Sequence, residues 1–414
     1  MIFDTSCECR STNIIIEVRM IKKIQSLASK YLPEIIEVRR HIHANPELSF
    51  KEYKTSDYVQ SVLNKMGIPF ESGIAGTGIV ATIGGKNADS KLVSLRADMD
   101  ALPIEEQNEL SYKSRNAGVM HACGHDVHTS SLLGAAKILN ELKSEWSGTV
   151  QLIFQPGEET LPGGASIMIK EGLFKNQGRH AIFGQHVFPE LPAGKVGLKP
   201  GVYMASTDEI YVKVQGKGGH GAKPDKNIDP VLITSHLIVA LQQVVSRWAN
   251  PSMPSVLSFG KVIANGATNI IPNEVLLEGT FRTFDEKWRM EAHERMTALA
   301  KGLVEGMGGA VEFRIEVGYP VLKNDPNLTE LSKLAAIEYL GIENVVDLDL
   351  RTTAEDFAYF SQLMPACFYR LGTASPNGDN SYAVHNSRFN IDEDALKTGM
   401  GLLAWQALSE LNRT

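Results

Sequence analysis

Cysteine is scarce in this 414-residue chain. Its four cysteines are too few for a disulfide framework at such a length. Long apolar runs are missing too. No stretch approaches the ~18–20 residues a membrane span needs, and "NIIIEV" at 13–18 falls far short. A basic surplus is also lacking. The net charge is −7 and the pI about 5.9, which argues against nucleic acid or an anionic membrane surface as the main partner. The N-terminus, "MIFDTSCECRSTNIIIEVRM", has no basic n-region, long apolar core or small-residue cleavage site of the kind a secretory signal carries, so a cytoplasmic location is expected. There are no internal repeats and no low-complexity tracts.

What remains is an ordinary globular composition, 43% apolar and 21% charged. The length exceeds what one core usually holds, so two domains are expected. Residues 21–44 carry apolar side chains at helical spacing, with Pro33 expected to break or kink the helix. "TGIVATIGG" and "KLVSLRADMD" read as adjacent strands turning at Gly-Gly. "TSSLLGAAKILNELK" reads as a helix and "GTVQLIFQPGEE" as a strand ending in a Pro-Gly break. Strand and helix alternate, which implies a mixed α/β sheet with helices on both faces. After about residue 204 the order becomes β-α-β-β-α-β, the signature of a ferredoxin-like α+β sandwich. Asp229 is the expected N-cap of its first helix, with Pro230 in the first turn. The architecture is therefore a discontinuous domain, 20–204 with 317–414, interrupted by a smaller domain at 205–316. Residues 1–19 are expected to be a loose extension, with no role for Cys7 and Cys9.

The chemistry gathers in five polar clusters at or near strand ends: "RADMD" (96–100), "HACGHDVH" (121–128), "QPGEE" (155–159), "GQHV" (184–187) and "VHN" (384–386). Ligands of open α/β sheets bind at the carboxyl ends of the strands. Imidazole, thiolate and carboxylate together are the donors that zinc or manganese takes. Cys123 and His125 stand two apart around a glycine that permits a tight turn. Cys367, in an apolar run, reads as a buried core thiol, and His236, His293 and His180, the last outside the residues described below, as surface or satisfied core histidines. His41 and His43 read as local packing or capping groups.

Glu158 and Glu159 repel each other at the end of an apolar strand, so stability disfavours them. A division of labour accounts for the pair: one carboxylate binds metal, the other takes the proton of the attacking water. Alternation puts Asp98 and Asp100 on one strand face with Arg96. Asp100 is expected to orient a metal-bound histidine. Asp98 either does the same or anchors the loop.

"RADMDALPIEE", "MHACGHDVH", "QPGEE", "GQHV", "GKGGHGAKP", "TNIIPNEV" and "AVHN", in this order from about residue 30 to 410, together resemble the amidohydrolase branch of the M20 metallopeptidases. That branch includes N-acyl-amino-acid amidohydrolases, hippurate hydrolases and auxin-conjugate hydrolases. The resemblance implies a dinuclear site for Mn²⁺ or Zn²⁺, with Co²⁺ or Ni²⁺ as further candidates, held by Cys123, His125, Glu159, His186 and His385. Glu158 would be the general base. The inserted domain would be a lid and dimerisation module, making the protein a homodimer. Its His220 would stabilise the oxyanion, and Asn269 and Arg282 would hold the substrate's carboxylate, to which an arginine fork is suited. Where other branches of the superfamily place a histidine two residues before the aspartate, this chain has Asp98. The expected activity is hydrolysis of the amide bond of an N-acyl amino acid by a metal-activated water. The alternatives are a dipeptidase or carboxypeptidase, a non-catalytic metal-dependent binder, and an amidase using Cys123 as nucleophile.

Overall fold

The computed structural model describes residues 5–175, 181–375 and 382–413, with side chains from residue 17 onward, so the side chains of Cys7 and Cys9 lie outside the described residues. Two compact units result. One comprises Met1–Gly201, Asn324–Asp349 and Tyr359–Thr414; the other comprises Val202–Lys323 and Leu350–Ala358.

The first unit begins with α1 (Thr5–Ala44). This helix starts within the segment expected to be a loose extension and continues through Pro33. A proline inside a helix costs roughly 3 kcal/mol. Against that, Ile21, Ile24, Ala28, Tyr31, Ile35, Val38 and Ile42 are buried on one face, and each large aliphatic contributes about 1.5–3 kcal/mol. The packed face outweighs the lost hydrogen bond.

Then follow α2 (Tyr53–Lys65), β1 (Phe70–Ile74), β2 (Gly78–Gly84), β3 (Leu92–Asp98), α3 (His125–Glu141), β4 (Thr149–Gln155), α4 (Gly164–Lys170), β5 (Ala181–Pro192) and β6 (Val196–Leu198). After the second unit's elements, given below, the chain returns. The second unit holds β7 (Asp208–Gln215), α5 (Pro230–Leu241), β8 (Ser255–Ile263), β9 (Glu274–Thr283), α6 (Glu286–Gly306) and β10 (Ala310–Val317). The return adds α7 (Pro326–Leu340), β11 (Val345–Asp347), β12 (Ala366–Ala374) and α8 (Ala395–Leu411).

The large sheet has the order β1-β2-β4-β3-β5-β12-β6-β11. It is mixed: β3 runs parallel to β4 and β5, and β5 to β12, while β2 opposes β4. Nearly every residue of β3, β4 and β12 is buried, as strands covered on both faces require. β2 and β3 are not neighbours, contrary to the hairpin expected at Gly84-Gly85. β4 lies between them. Gly85 N donates to Gly148 O and Lys86 N to Trp146 O, so the chain leaving β2 pairs with the approach to β4. This non-local pairing gives both apolar strands, β3 and β4, two neighbours.

In the second unit β7, β8, β9 and β10 form an antiparallel sheet in the order β8-β9-β7-β10. With α5 and α6 between the strands, this is the ferredoxin-like arrangement. Asp229 caps α5, accepting from Val231 N and Leu232 N at 2.9 and 3.2 Å. Residues 350–358, expected with the larger domain, belong here: Arg351 N donates to Tyr203 O and Ala205 N to Arg351 O, both at 3.0 Å.

Candidate metal centre

Four chain segments converge at the carboxyl ends of β3, β4 and β5, joined by the loop before α8. Each is positioned by its backbone. Gly124 precedes α3 at φ +84°, a left-handed conformation that glycine adopts without a Cβ penalty. It turns the chain so that Cys123 and His125 both face the strand ends. β4 stops at Pro156, and Gly157, at φ +61°, swings Glu158 and Glu159 back over the sheet. His186 lies within β5. His385 is held at φ +65°, which costs a non-glycine residue roughly 1–2 kcal/mol. Its N–H donates to Ala122 O at 2.7 Å, tying it beside Cys123. Such strain persists where the surroundings fix it, commonly at functional sites.

The side chains close on one another. Cys123 Sγ lies 3.4 Å from His186 Nε2 and 3.3 Å from His385 Nε2. His385 Nε2 is 3.3 Å from Glu159 Oε1. His125 Nε2 is 3.9 Å from both Glu158 Oε2 and Glu159 Oε1. Three donor groups therefore overlap, each with atoms within 4.8 Å of one another: Cys123, His125 and His186; Cys123, Glu159 and His385; His125, Glu158 and Glu159.

Two buried donors in this cluster, His125 Nε2 and Glu159 Oε1, make no hydrogen bond, although Glu159 Oε1 lies 3.3 Å from the ligand candidate His385. Buried polar atoms left unpartnered cost free energy, and a divalent cation removes that cost. The donor set of sulfur, imidazole nitrogen and carboxylate oxygen suits a transition metal. The five residues thus fit a metal centre.

The tautomer of His125 is set from outside. Asp100 Oδ1 accepts from His125 Nδ1 at 3.1 Å, which points Nε2 toward Glu158 and Glu159. Asp100 Oδ2 accepts from Ser49 Oγ at 2.7 Å and from Glu159 N at 3.0 Å, so one carboxylate orients His125 and holds the Glu159 backbone. Burial alone would lower the His125 pKa, but Asp98, Asp100 and Glu159 raise it to about 10. Burial, with the charges of Glu159 and Glu158, pushes the Cys123 thiol well up. The cluster carries an excess of negative charge that a cation offsets.

Asp98, Arg96 and His128 form an adjoining layer, with Asp98 Oδ2 3.8 Å from His125 Nε2. Asp98 Oδ2 accepts from Arg96 Nη1 and Oδ1 from His128 Nδ1, both at 2.6 Å. Beneath them His43 reaches Asp126 at 2.8 Å and Glu106 at 3.2 Å, and Arg39 Nε donates to Asp126 at 2.7 Å. His43 thus anchors the first turn of α3, while His41 stacks on Tyr58 with ring centroids 3.8 Å apart.

Glu52 was not recognisable from the sequence. This buried carboxylate accepts from Gly157 N and Phe50 N at 2.8 Å and from Thr77 Oγ1 at 2.7 Å. It grips the turn that carries Glu158 and Glu159. His128 was visible within "MHACGHDVH", three residues after His125 and hence on the same helix face, but the partners of its ring nitrogens, Asp98 and Val187, are non-local.

His220, Asn269 and Arg282 belong to the second unit. His220 pairs with Ile270 in a short ribbon, and Gly221 N donates to Asn269 O at 2.9 Å, which brings His220 and Asn269 together. His220 Nδ1 accepts from Ala222 N at 3.1 Å. Arg282 stands on β9, its pKa lowered by burial.

Residues 94–407 match the model of Peptidase family M20/M25/M40. The N-acyl-L-amino acid amidohydrolase of Geobacillus stearothermophilus is 41% identical over 73% of this chain and 82% of its own. Thermostable carboxypeptidase 2 of Saccharolobus solfataricus is 38% identical over 92% of this chain and 96% of its own. The crystal structure of the Bacillus subtilis YXEP protein, described as a dinuclear metal binding peptidase from the M20 family, superimposes with a TM-score of 0.79 at 34% identity, over 92% of this chain and 98% of that one. Strand-end donors, unpartnered ligand atoms and these likenesses converge: the chain belongs to peptidase family M20/M25/M40.

Proposed function

We propose that this protein is a metal-dependent amidohydrolase that cleaves the amide bond of N-acyl amino acids. The observation that carries the reading is the set of overlapping donor groups around Cys123, His125, Glu159, His186 and His385, with buried His125 Nε2 and Glu159 Oε1 unpartnered. These five residues hold two divalent ions, Mn²⁺ or Zn²⁺, with Co²⁺ or Ni²⁺ as substitutes. Bound there, such ions polarise an amide carbonyl and bring the pKa of water towards ~7.

Glu158, whose Oε2 lies 3.9 Å from His125 Nε2, is assigned as the general base beside the five ligands. It accepts the proton of the attacking water and returns it to the departing amine. Asp100 keeps the His125 lone pair directed inward. His220 is assigned to the oxyanion: with Nδ1 accepting from Ala222 N, its Nε2 carries the proton and donates. Asn269 and Arg282 are assigned to the substrate's free carboxylate. We also assign the second unit to lid closure and homodimerisation. Val231, Leu232 and Val239 on α5 are 39%, 52% and 73% exposed, an apolar face of the kind subunit contacts cover. A cytoplasmic setting would keep Cys123 reduced.

A second reading is peptide hydrolysis, favoured by the carboxypeptidase relative at 38% identity. The remaining alternatives fare less well. A binder has no use for Glu158, and burial, followed by the charges of Glu159 and Glu158, pushes the Cys123 thiol up, against the thiolate that a nucleophile needs.

The test is Glu158→Gln reconstituted with Mn²⁺ and assayed on an N-acetyl amino acid, hippurate and a free dipeptide. The variant should bind the same number of ions as the wild type and lose about 10²–10⁴-fold in turnover. The wild type should prefer the N-acyl substrates. Near-normal turnover by the variant would remove Glu158 from its role, and preference for the dipeptide would select the second reading.

A further inference from the structure

We propose that the Asp98–His128 pair is a positioning device for the ring of His186, acting through both backbone groups of Val187. The inference rests on the reading of Cys123 and His186 as metal ligands. It concerns a histidine that proximity alone would place among them, since Asp98, His125 and His128 also form a close donor group.

His128 is fully buried, and both of its ring nitrogens are committed. Nε2 lies 2.9 Å from Val187 N. A backbone N–H can only donate, so Nε2 carries its lone pair there. The proton is therefore on Nδ1, 2.6 Å from Asp98 Oδ1, which accepts it. The second oxygen of Asp98 accepts from Arg96, so the carboxylate's charge is balanced by the guanidinium. No lone pair of His128 is left for a cation.

The need for this arrangement follows from the sheet. β3 pairs with β5 only as far as Arg96 opposite Gly184. Beyond that point β5 has lost its neighbour on this edge, and a buried N–H there requires another acceptor. His128 supplies it. On the same residue, Val187 O accepts from His186 Nδ1 at 2.8 Å, which leaves His186 Nε2 deprotonated and 3.4 Å from Cys123 Sγ. The Val187 side chain also seats the adjacent turn: a Cβ added at Gly124 would lie 2.5 Å from Val187 Cγ2. One residue thus sets the tautomer of His186 and the resting place of the Cys123–His125 turn. His128 and Asp98 fix that residue.

The experiment titrates apoprotein with Co²⁺ in competition with a chromophoric chelator and records the Co²⁺ absorption spectrum, for wild type, His128→Ala and His128→Gln. Outer-shell partners of a ligand are typically worth 10–100-fold in metal affinity. His128→Ala should lose affinity by about that factor at unchanged stoichiometry, with altered ligand-field bands. His128→Gln, whose side-chain oxygen can still accept from Val187 N, should recover most of the loss. Unchanged affinity and spectrum in His128→Ala would overturn the inference, and so would the loss of one equivalent of metal, which would make His128 a ligand. If His128→Ala does not fold, nuclear magnetic resonance of ¹⁵N-histidine-labelled wild type loaded with ¹¹³Cd²⁺ decides. His128 should be a neutral Nδ1–H ring without cadmium coupling, and coupling would overturn the assignment. A wild type that binds no Co²⁺ would overturn the metal reading and this inference with it, whereas wild-type binding with an indifferent His128→Ala overturns the inference alone.

Discussion

At the scale of single residues, the site depends on which atoms are spoken for. His125 and His128 lie on one helix face, both buried and both near carboxylates. Asp100 takes only one nitrogen of His125, while Asp98 and Val187 take both of His128. That difference makes one a ligand candidate and the other a support. Gly124 shows how little tolerance the turn has. Gly124→Ala would force a left-handed alanine, costing roughly 1–2 kcal/mol, and drive its methyl into Val187. Its expected outcome is folded protein with weakened metal affinity, measured by chelator competition. Affinity equal to wild type would show that the turn is not held against Val187.

At the scale of elements, the turn after β4 is gripped from both sides. Glu52, just before α2, accepts from Gly157 N, and Asp100, just after β3, accepts from Glu159 N. Glu52→Ala should therefore lower kcat by about 10–100-fold, chiefly by freeing Glu158 and Glu159, with a smaller effect on KM. Glu52→Gln keeps an oxygen for Gly157 N and should stay near wild type. Equal losses in both variants, measured by steady-state kinetics, would mean that the charge matters and not the grip. The donors themselves were legible in the sequence because each stands in a short polar cluster where an apolar strand stops. Glu52 was not, since the partners that tie it to the site, Thr77 and Gly157, lie 25 and 105 positions away and nothing in "SFKEYK" marks it. The order of β2, β4 and β3 was hidden for the same reason. A Gly-Gly pair reports local turn preference, whereas the pairing of Gly85 with Gly148 is settled by the sheet. Pro33 likewise misled because local propensity is weak beside a buried helix face.

At the scale of the whole molecule, the two units answer to different variables. The first should depend on metal. A chelator should lower its melting temperature, and restoring Mn²⁺ at a hundredfold excess over Kd should return about 2.7 kcal/mol; scanning calorimetry with and without chelator measures this. The second should depend on acid pH through Asp208. That buried carboxylate accepts from Arg289 Nη2 at 2.6 Å and lies 2.7 Å from His293 Nε2. Burial opposes its charge, but His293 and Arg289 hold its pKa below the ordinary value. The stabilisation is present above the unfolded aspartate value of ~3.9 and is lost as pH falls through the lower folded one. Asp208→Asn should destabilise this unit by about 3 kcal/mol at neutral pH and flatten that acid dependence, as read by circular dichroism melts from pH 2 to 7. An unchanged acid limb would exclude Asp208 as its source.

On the proposed function, five side chains from distant parts of the chain hold two divalent ions beside Glu158. Anomalous diffraction at the manganese or zinc edge, from crystals of protein loaded with that metal, tests it most directly. Two peaks within bonding distance of Cys123, His125, Glu159, His186 and His385 are predicted, with Glu158 outside the coordination set. Loaded crystals with no anomalous peak among these residues would contradict it.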